Sequence, residues 1–433
     1  MAIAAPNTGT SAASATGQSY GAPLATVTTL FFMWGFLTCL NDILVPHLKS
    51  IFDLNYAKVM LIQFAFFGAY FIFSIPSAKI IDWMGYQRSM VAGLLTMGLG
   101  AFLFVPAASV PSFPLFLGAL IVLAAGITCL QVAANPYVTV LGNPETASSR
   151  LNLTQAFNSL GTFLAPFFGG LLILSAAPMT MDQIRALAPD ALQAYRLHEA
   201  ATVKTPYVGL GIALVVLAVA IGSFKLPTIE HAQHKVGEKV NDSIWKHPNL
   251  IFGAIGIFVY VGAEVSIGSF LVNYFGQPEI GGLTEKVAAS FVAFYWGGAM
   301  VGRFIGSALL QKMKTGGLLA ICAVCAAALV AISMLTSGHI AMYSIILVGF
   351  FNSIMFPSIF TLGVAELGPL TGDGSGVMIM AIVGGAIIPV AQGAIADRIG
   401  IHHAFFLPVI CYLYILFFAL SGSRPNSQRY AKA

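Results

Sequence analysis

Charged side chains are scarce in this chain. Lys, Arg, Asp and Glu make up 8% of its 433 residues while 58% are hydrophobic, against about 25% charged in a soluble domain. With a mean hydropathy of +0.86, a soluble globular domain is excluded; the chain is an integral membrane protein and the lipid bilayer is its first partner. Cysteine is also sparse, and Cys39, Cys129, Cys322, Cys325 and Cys411 all lie in apolar runs. No disulfide framework follows, and the Cys322-x2-Cys325 pair, with no His or acid beside it, reads as small packing residues rather than a zinc site. Histidines fall mostly in loops or at helix ends, at 47, 198, 231, 234, 247, 339, 402 and 403. The nucleophile–base or metal constellation of a membrane enzyme is therefore missing, and no cofactor is expected. Residues 1–22 carry no charge, which lacks the basic start of a signal peptide. Residues 1–23 are expected to form a disordered tail. The net charge of +4 is unremarkable, and no nucleic-acid partner is expected.

What is abundant is apolar length. Hydrophobic spans run at roughly 24–48, 57–80, 88–108, 113–141, 150–176 and 206–225. A polar stretch, 226–247, separates them from six more at roughly 248–276, 285–311, 315–336, 338–364, 374–396 and 402–421. Each is long enough, at about 1.5 Å rise per residue, to cross a bilayer core of about 30 Å. The expected fold is all-α, with twelve transmembrane helices as a bundle over 24–225, a linker over 226–247, a second bundle over 248–421 and a tail over 422–433. A short surface helix is expected at Met181–Tyr195 in the long loop 177–205. With both termini on one side, that side collects thirteen Lys and Arg against seven on the other. The positive-inside rule then places both termini and the central linker in the cytoplasm.

The two sets of spans resemble each other. Pro136-x5-Gly142 followed by Glu145 recurs as Pro357-x5-Gly363 followed by Glu366, at an offset of 221. Gly161-x4-Pro166-x3-Gly170 recurs as Gly384-x4-Pro389-x3-Gly393 at 223, and Asp42 lies 222 positions before Glu264. Six spans return the chain to its starting side, so the repeats are parallel and related by an axis along the membrane normal. Substrate then binds near the midplane between them, and alternating access rocks one bundle against the other.

Polar residues inside spans carry the functional reading. A carboxylate in hydrocarbon costs at least about 2.5 kcal/mol on insertion scales, so it faces protein or water and marks a function. Asp42, with Asn41 beside it and Thr38 and Trp34 one and two turns earlier, forms the first such face. Glu264 stands near the centre of the seventh span, one turn after Tyr260, with no charge nearby in sequence. The matched positions of Asp42 and Glu264 make them the candidates for a shared proton or a sodium ion. In the fourth span Gln131 and Asn135 share a face beside Pro136, which opens the backbone there; in the fifth, Gln155 and Asn158 do the same. Amides that both donate and accept suit a neutral ligand rich in hydroxyls, with interhelical hydrogen bonding as the competing use. Trp34 and Trp296 offer aromatic planes for the C–H patches of a sugar ring, and Asn352 matches Gln131 at the 221 offset. Asp82 and Arg88 in the turn after the second span, and Arg303 in its counterpart, are expected to form an ion-pair latch.

Three stretches carry a resemblance: Trp34-Gly35 with Asn41-Asp42-Ile43-Leu44-x-Pro46; Cys129-Leu130-Gln131-x-Ala133-Ala134-Asn135-Pro136-Tyr137 through Gly142; and Arg150-Leu151-Asn152-Leu153-x-Gln155-x-Phe157-Asn158 through Gly161. They are similar to the fucose–proton symporter family of the major facilitator superfamily, over nearly all of 24–421. That resemblance implies the major facilitator fold, no enzyme activity, and monosaccharide uptake driven by protons or sodium. In the fucose carriers an acid in the first helix and a glutamate in the fourth handle protonation. Asp42 matches the first, whereas Gln131 stands at the second and cannot titrate. Glu264, where those carriers have an amide, resembles the branch that carries glucose, galactose or N-acetylglucosamine. The expected function is cation-coupled hexose symport at a bacterial inner membrane by a functional monomer. The alternatives are a proton-coupled drug antiporter on the same fold, against which the amide stripes argue, and a non-transporting sensor.

Overall fold

The computed structural model of the protein describes residues 20–52, 56–110, 112–172, 183, 186–228 and 242–425; the side chains of 40–52, 56–61, 63, 166–172, 200 and 285 lie outside the description. Residues 1–19 and 426–433 of the expected tails and most of the linker, 229–241, fall outside the described residues, while 21–23 belong to the first helix rather than to a disordered tail. Among the described residues the elements are helices and turns. They are α1 (Gly21–Phe52), α2 (Tyr56–Ser109), α3 (Phe113–Val140), α4 (Ala147–Leu172), α5 (Pro189–Thr202), α6 (Lys204–Ser223), α7 (Pro248–Gly276) and α8 (Glu285–Leu309), followed by α9 (Thr315–Leu335), α10 (Gly338–Asn352), α11 (Met355–Gly363), α12 (Thr371–Met380), α13 (Gly384–Ile399), α14 (Ile401–Ala404) and α15 (Phe406–Phe417).

Every expected span falls on a helix, and three helices differ from the simple rod that hydropathy suggests. The second and third spans share α2, turned at Gly85, whose φ of 80° is left-handed backbone that suits glycine. The tenth span divides into α10 and α11, and the eleventh into α12 and α13 through a tighter turn at Ala381–Val383. Of the surface helix expected at Met181–Tyr195, residue 183 is helical, and the second part falls on α5, which begins at Pro189, with Asp190 in its first turn, and runs on to Thr202. Proline with its preset φ, followed by an acid facing the free N–H groups, is a good helix start. Residues 181, 182, 184 and 185 lie outside the described ones.

Glycines allow the helices to approach closely, as expected where lipid supplies no hydrophobic drive between helices. A side chain at Gly35 would collide with the Asn158 carbonyl, and one at Gly161 with the Phe32 carbonyl, which locks α1 to α4. In the second half Gly384, the 223-offset partner of Gly161, would collide with the Phe258 carbonyl and locks α13 to α7. The same contact therefore recurs in both repeats.

Between the halves, a cluster of hydrogen bonds lies toward one end, the end that carries residues 79–88 and 144–150. Ser148 Oγ meets Thr361 Oγ1 at 2.6 Å, Ser149 Oγ donates to the Ser307 carbonyl at 2.7 Å, and Ser307 Oγ donates back to the Ser149 carbonyl at 3.1 Å. Pro136 has no N–H, so the Val132 carbonyl loses its helical donor; Ser375 Oγ of the other half supplies one at 2.8 Å. This end of the bundle is closed by hydroxyls as much as by charge.

The cross-half ion pair that forms here is Lys79 Nζ to Asp373 Oδ1 at 2.7 Å, with Asp82 Oδ2 on the same lysine at 3.5 Å. Of the expected latch residues, Asp82 pairs with Lys79, and Arg303 bonds helix carbonyls and a hydroxyl rather than an acid. Lys79 begins the last turn before Asp82, and Asp373 sits in the first turn of α12, where an acid complements free N–H groups. Because Lys79 is 60% exposed, the pair contributes about 1 kcal/mol at most. Lys79→Met or Asp373→Asn is expected to change uptake rate by a few fold at most. The exchanged pair Lys79→Asp with Asp373→Lys should restore it, measured as initial rate in proteoliposomes. A loss of all transport in either single variant would contradict this ranking.

Candidate functional site

Glu264 is partly buried in the middle of α7, and its carboxylate Oε1 accepts from the Tyr260 hydroxyl at 2.7 Å, one turn earlier. Tyr260 is itself buried, and its hydroxyl also lies 3.1 Å from the Asn352 carbonyl. Asn352 Nδ2 donates to the Tyr295 hydroxyl at 2.9 Å, and that hydroxyl lies 3.3 Å from the Glu264 backbone carbonyl. Asn352 Oδ1 and the Tyr412 hydroxyl are buried without a hydrogen bond of good geometry, and the Tyr412 side chain lies within reach of the Asn352 amide. A polar atom left unpaired in a dry interior is costly, so the two side chains partner each other. The cation whose field reaches Glu264 and Tyr260 is Arg303 of α8.

Arg303 joins this cluster to the other half. Its guanidinium donates to the Gln155 carbonyl at 3.4 Å and to Ser159 Oγ, both in α4. Its Nε donates to the Ser353 carbonyl at 3.3 Å, which Pro357 leaves without a helical donor in the same way that Pro136 frees Val132. Asn152 Nδ2 of α4 donates to the Arg303 carbonyl at 2.7 Å.

The first half carries a matching polar pair. Gln131 Nε2 donates to the Tyr70 hydroxyl at 2.7 Å, as Asn352 does to Tyr295. In each repeat an amide on the fourth helix thus bonds a tyrosine on the second. Gln155 Nε2 approaches Asn135 Oδ1 at 3.4 Å, and Asn135 Nδ2 is buried and unpaired. The structure therefore brings Gln131, Asn135 and Gln155 together in one half and Tyr260, Glu264 and Asn352 in the other. The Gln155–Arg303 contact connects the two sets.

Other expected residues sit apart. Asn158 Nδ2 donates to the Phe31 carbonyl at 2.9 Å, so this amide is spent joining α4 to α1. Thr38 Oγ1 donates to the Trp34 carbonyl of its own helix at 2.9 Å. Trp34 is 6% exposed and packs on Phe31 with centroids 4.5 Å apart. Trp296 is 42% exposed and edge-on to Tyr295 at 5.1 Å. Asn41 and Asp42 lie in α1, but their side chains are outside the described residues.

Tyr70 and Tyr412 escaped the sequence reading, which weighed amides, acids and, at Tyr295-Trp296, aromatic planes for a sugar ring. A tyrosine in an apolar run looks like core, and only the 225-position match of Tyr70 to Tyr295, on the second helix of each repeat, could have flagged that pair. Arg303 was found, but its reach toward Glu264, 39 positions earlier, has no sequence signal.

Residues 24–382 match the Major Facilitator Superfamily. The chain is 54% identical over 407 residues to a glucose/galactose transporter of Brucella abortus, covering 94% of this chain and 95% of that one. It is 36% identical over 409 residues to the L-fucose-proton symporter of Escherichia coli, covering 93% of each. A crystal structure of that Escherichia coli fucose:proton symporter superposes with a TM-score of 0.87 at 34% identity, over 94% of this chain and all of the other.

Proposed function

Because the chain belongs to the major facilitator superfamily, and within it to the family of the fucose–proton symporters, we propose that it is a proton-coupled carrier for a hexose of the glucose and galactose type. Sugar transport by a multi-pass membrane symporter, not catalysis, follows from that membership; the particular sugar and cation are this reading's own. The observation that carries it is Glu264. This is a partly buried carboxylate in mid-helix, hydrogen-bonded to Tyr260 and in the field of Arg303, with Asn352 on the far side of Tyr260.

A proton suits this place better than sodium. Sodium would need several oxygens to replace its water, and a guanidinium nearby repels a second cation. A proton neutralises the carboxylate without adding a charge. The closed end, made by Lys79–Asp373 and the serine pairs, is then the cytoplasmic one, which agrees with the charge of the loops. Sugar and proton enter from the opposite side. Asp42, at the matching place in the first repeat, is the second acid of the proposal. The unpaired Asn135 Nδ2 is the donor offered to sugar hydroxyls from the first half, and the Asn352 amide beside Tyr412 is its counterpart in the second.

Arg303 supplies the linkage. With Glu264 neutral, its guanidinium stays on α4 and the Ser353 carbonyl, and the cytoplasmic end stays closed until sugar binds. With Glu264 charged, the same guanidinium is drawn back and the cross-half bonds weaken. Proton binding before sugar binding follows from that order.

The test is uptake of radiolabelled glucose, galactose and N-acetylglucosamine into proteoliposomes, with pH and sodium gradients imposed separately. Accumulation of glucose or galactose under an inward proton gradient, unaffected by sodium, is the expected result. Accumulation only under a sodium gradient would reassign the ion. Competition by hydrophobic cations but not by sugars would replace the reading with the drug antiporter.

A further inference from the structure

The seam between α7 and α13 is tight in one part and polar in the next. A side chain at Gly384 would collide with the Phe258 carbonyl, and one at Gly262 with Ile388. Both pairs are 126 positions apart, so the helices run in the same direction in fixed register. One turn further along, that register sets Ser266 against Gln392. Both are fully buried, at 0% exposure. Ser266 Oγ, Gln392 Nε2 and Gln392 Oε1 have no hydrogen-bond partner in the protein. A glutamine in a lipid-embedded seam with neither end satisfied has left water and gained nothing in return.

We propose that Ser266 and Gln392 form a buried hydration site in this seam, occupied by water. Chemistry selects the ligand. Gln392 presents a two-hydrogen donor beside an acceptor, and Ser266 is both at once. A cation would be served by the oxygens and opposed by the Nε2 hydrogens. A sugar is excluded by size, since Gly262 one turn away leaves no room even for a methyl group. Water accepts from Nε2 and donates to Oε1 or Oγ, the usual role of internal water at unsatisfied buried groups.

A cavity of about 450 Å³ neighbours it against the same two helices, lined by Val265, Ser269 and Phe270 on α7 and by Pro389 and Gly393 on α13. The consequence is mechanical. Glycine fixes α7 to α13 below this level, while above it the contact runs through exchangeable water. The far half of α7 can then shift against α13 without breaking a direct polar bond.

Hydroxyl-radical footprinting by X-ray pulses, read by mass spectrometry on the purified full-length carrier, tests the site directly, because bound water is itself the radical source. Ile267 and Ile257 are both fully buried on α7. Ile267, beside Ser266, is expected to oxidise several-fold faster than Ile257, and to fall to the Ile257 rate in Ser266→Ala/Gln392→Met. Equal rates in the natural protein overturn the proposal. So does a fast rate at Ile267 that depends on sodium and vanishes in potassium, which would make the ligand a cation. Thermal unfolding of the variants gives a second reading. With water bridging the pair, each single substitution lowers Tm and the double one recovers it. In a dry seam each single substitution removes an unpaired group, and both raise Tm additively.

Discussion

Glu264→Gln is expected to abolish accumulation of sugar against its gradient while leaving counterflow exchange near the natural rate. At one proton per sugar, a gradient of one pH unit sustains roughly a tenfold sugar gradient, each being about 1.4 kcal/mol. The variant should fall from that ratio to equality inside and out. Glutamine is close to isosteric, and its Oε1 still accepts from the Tyr260 hydroxyl, so the packing of α7 against α8 and α10 is kept. What it removes is the ability to exist in charged and neutral forms. Glu264→Asp retains that ability but withdraws the carboxylate from Tyr260, whose hydroxyl reaches Oε1 at 2.7 Å. It should accumulate sugar less well than the natural protein and better than the glutamine variant. Full accumulation in Glu264→Gln would move coupling away from this residue, and Asp42→Asn would become the decisive variant. Loss of counterflow together with accumulation would make Glu264 a sugar ligand.

The parts of this architecture that were legible in the sequence are those set by one-dimensional properties. Bilayer thickness fixes span length, so hydropathy located the helices, and a duplicated bundle left Gly161 and Gly384 as well as Pro136 and Pro357 at nearly constant offsets. The same offset placed Asn352 with Gln131 before any contact was visible. What could not be read are the pairings across the axis. Lys79 and Asp373 are 294 positions apart and break the repeat, because the contact forms between one copy and the other and not within a copy. The closing contacts are mostly serines, Ser148, Ser149, Ser307 and Ser375, which in sequence look like small helix-packing residues. A stripe of amides likewise cannot announce which member meets the other amides and which is spent between helices. Asn158 shares a face with Gln155 on α4, yet a carbonyl of α1 takes up its side chain. Proline was the more informative signal: each repeat's proline frees one carbonyl, and a polar side chain from another helix claims it.

Arg303 follows from the same geometry, and its replacement should affect two measurements independently. Arg303→Met keeps the aliphatic stem but loses the bonds to the Gln155 carbonyl and to Ser159 Oγ. Hydrogen bonds to charged groups contribute about 1.5–3 kcal/mol each, so losing both should shift the balance between closed and open cytoplasmic ends by at least tenfold. Amide hydrogen exchange at the start of α4, where Ser148, Ser149 and Asn152 meet the other half, is expected to quicken accordingly, and uptake to fall by about an order of magnitude or more. The methionine variant also removes the field on Glu264, so the pH dependence of uptake should move. Arg303→Lys separates the two roles. A lysine restores positive charge but not the planar fork whose Nη1 reaches α4 while its Nε holds the Ser353 carbonyl. The pH profile should therefore return toward that of the natural protein while exchange at α4 stays fast. If the methionine variant kept the natural pH profile, Arg303 would be a clasp between the halves with no part in coupling. If lysine restored both measurements, charge alone would suffice and the directed bonds to α4 would carry no weight.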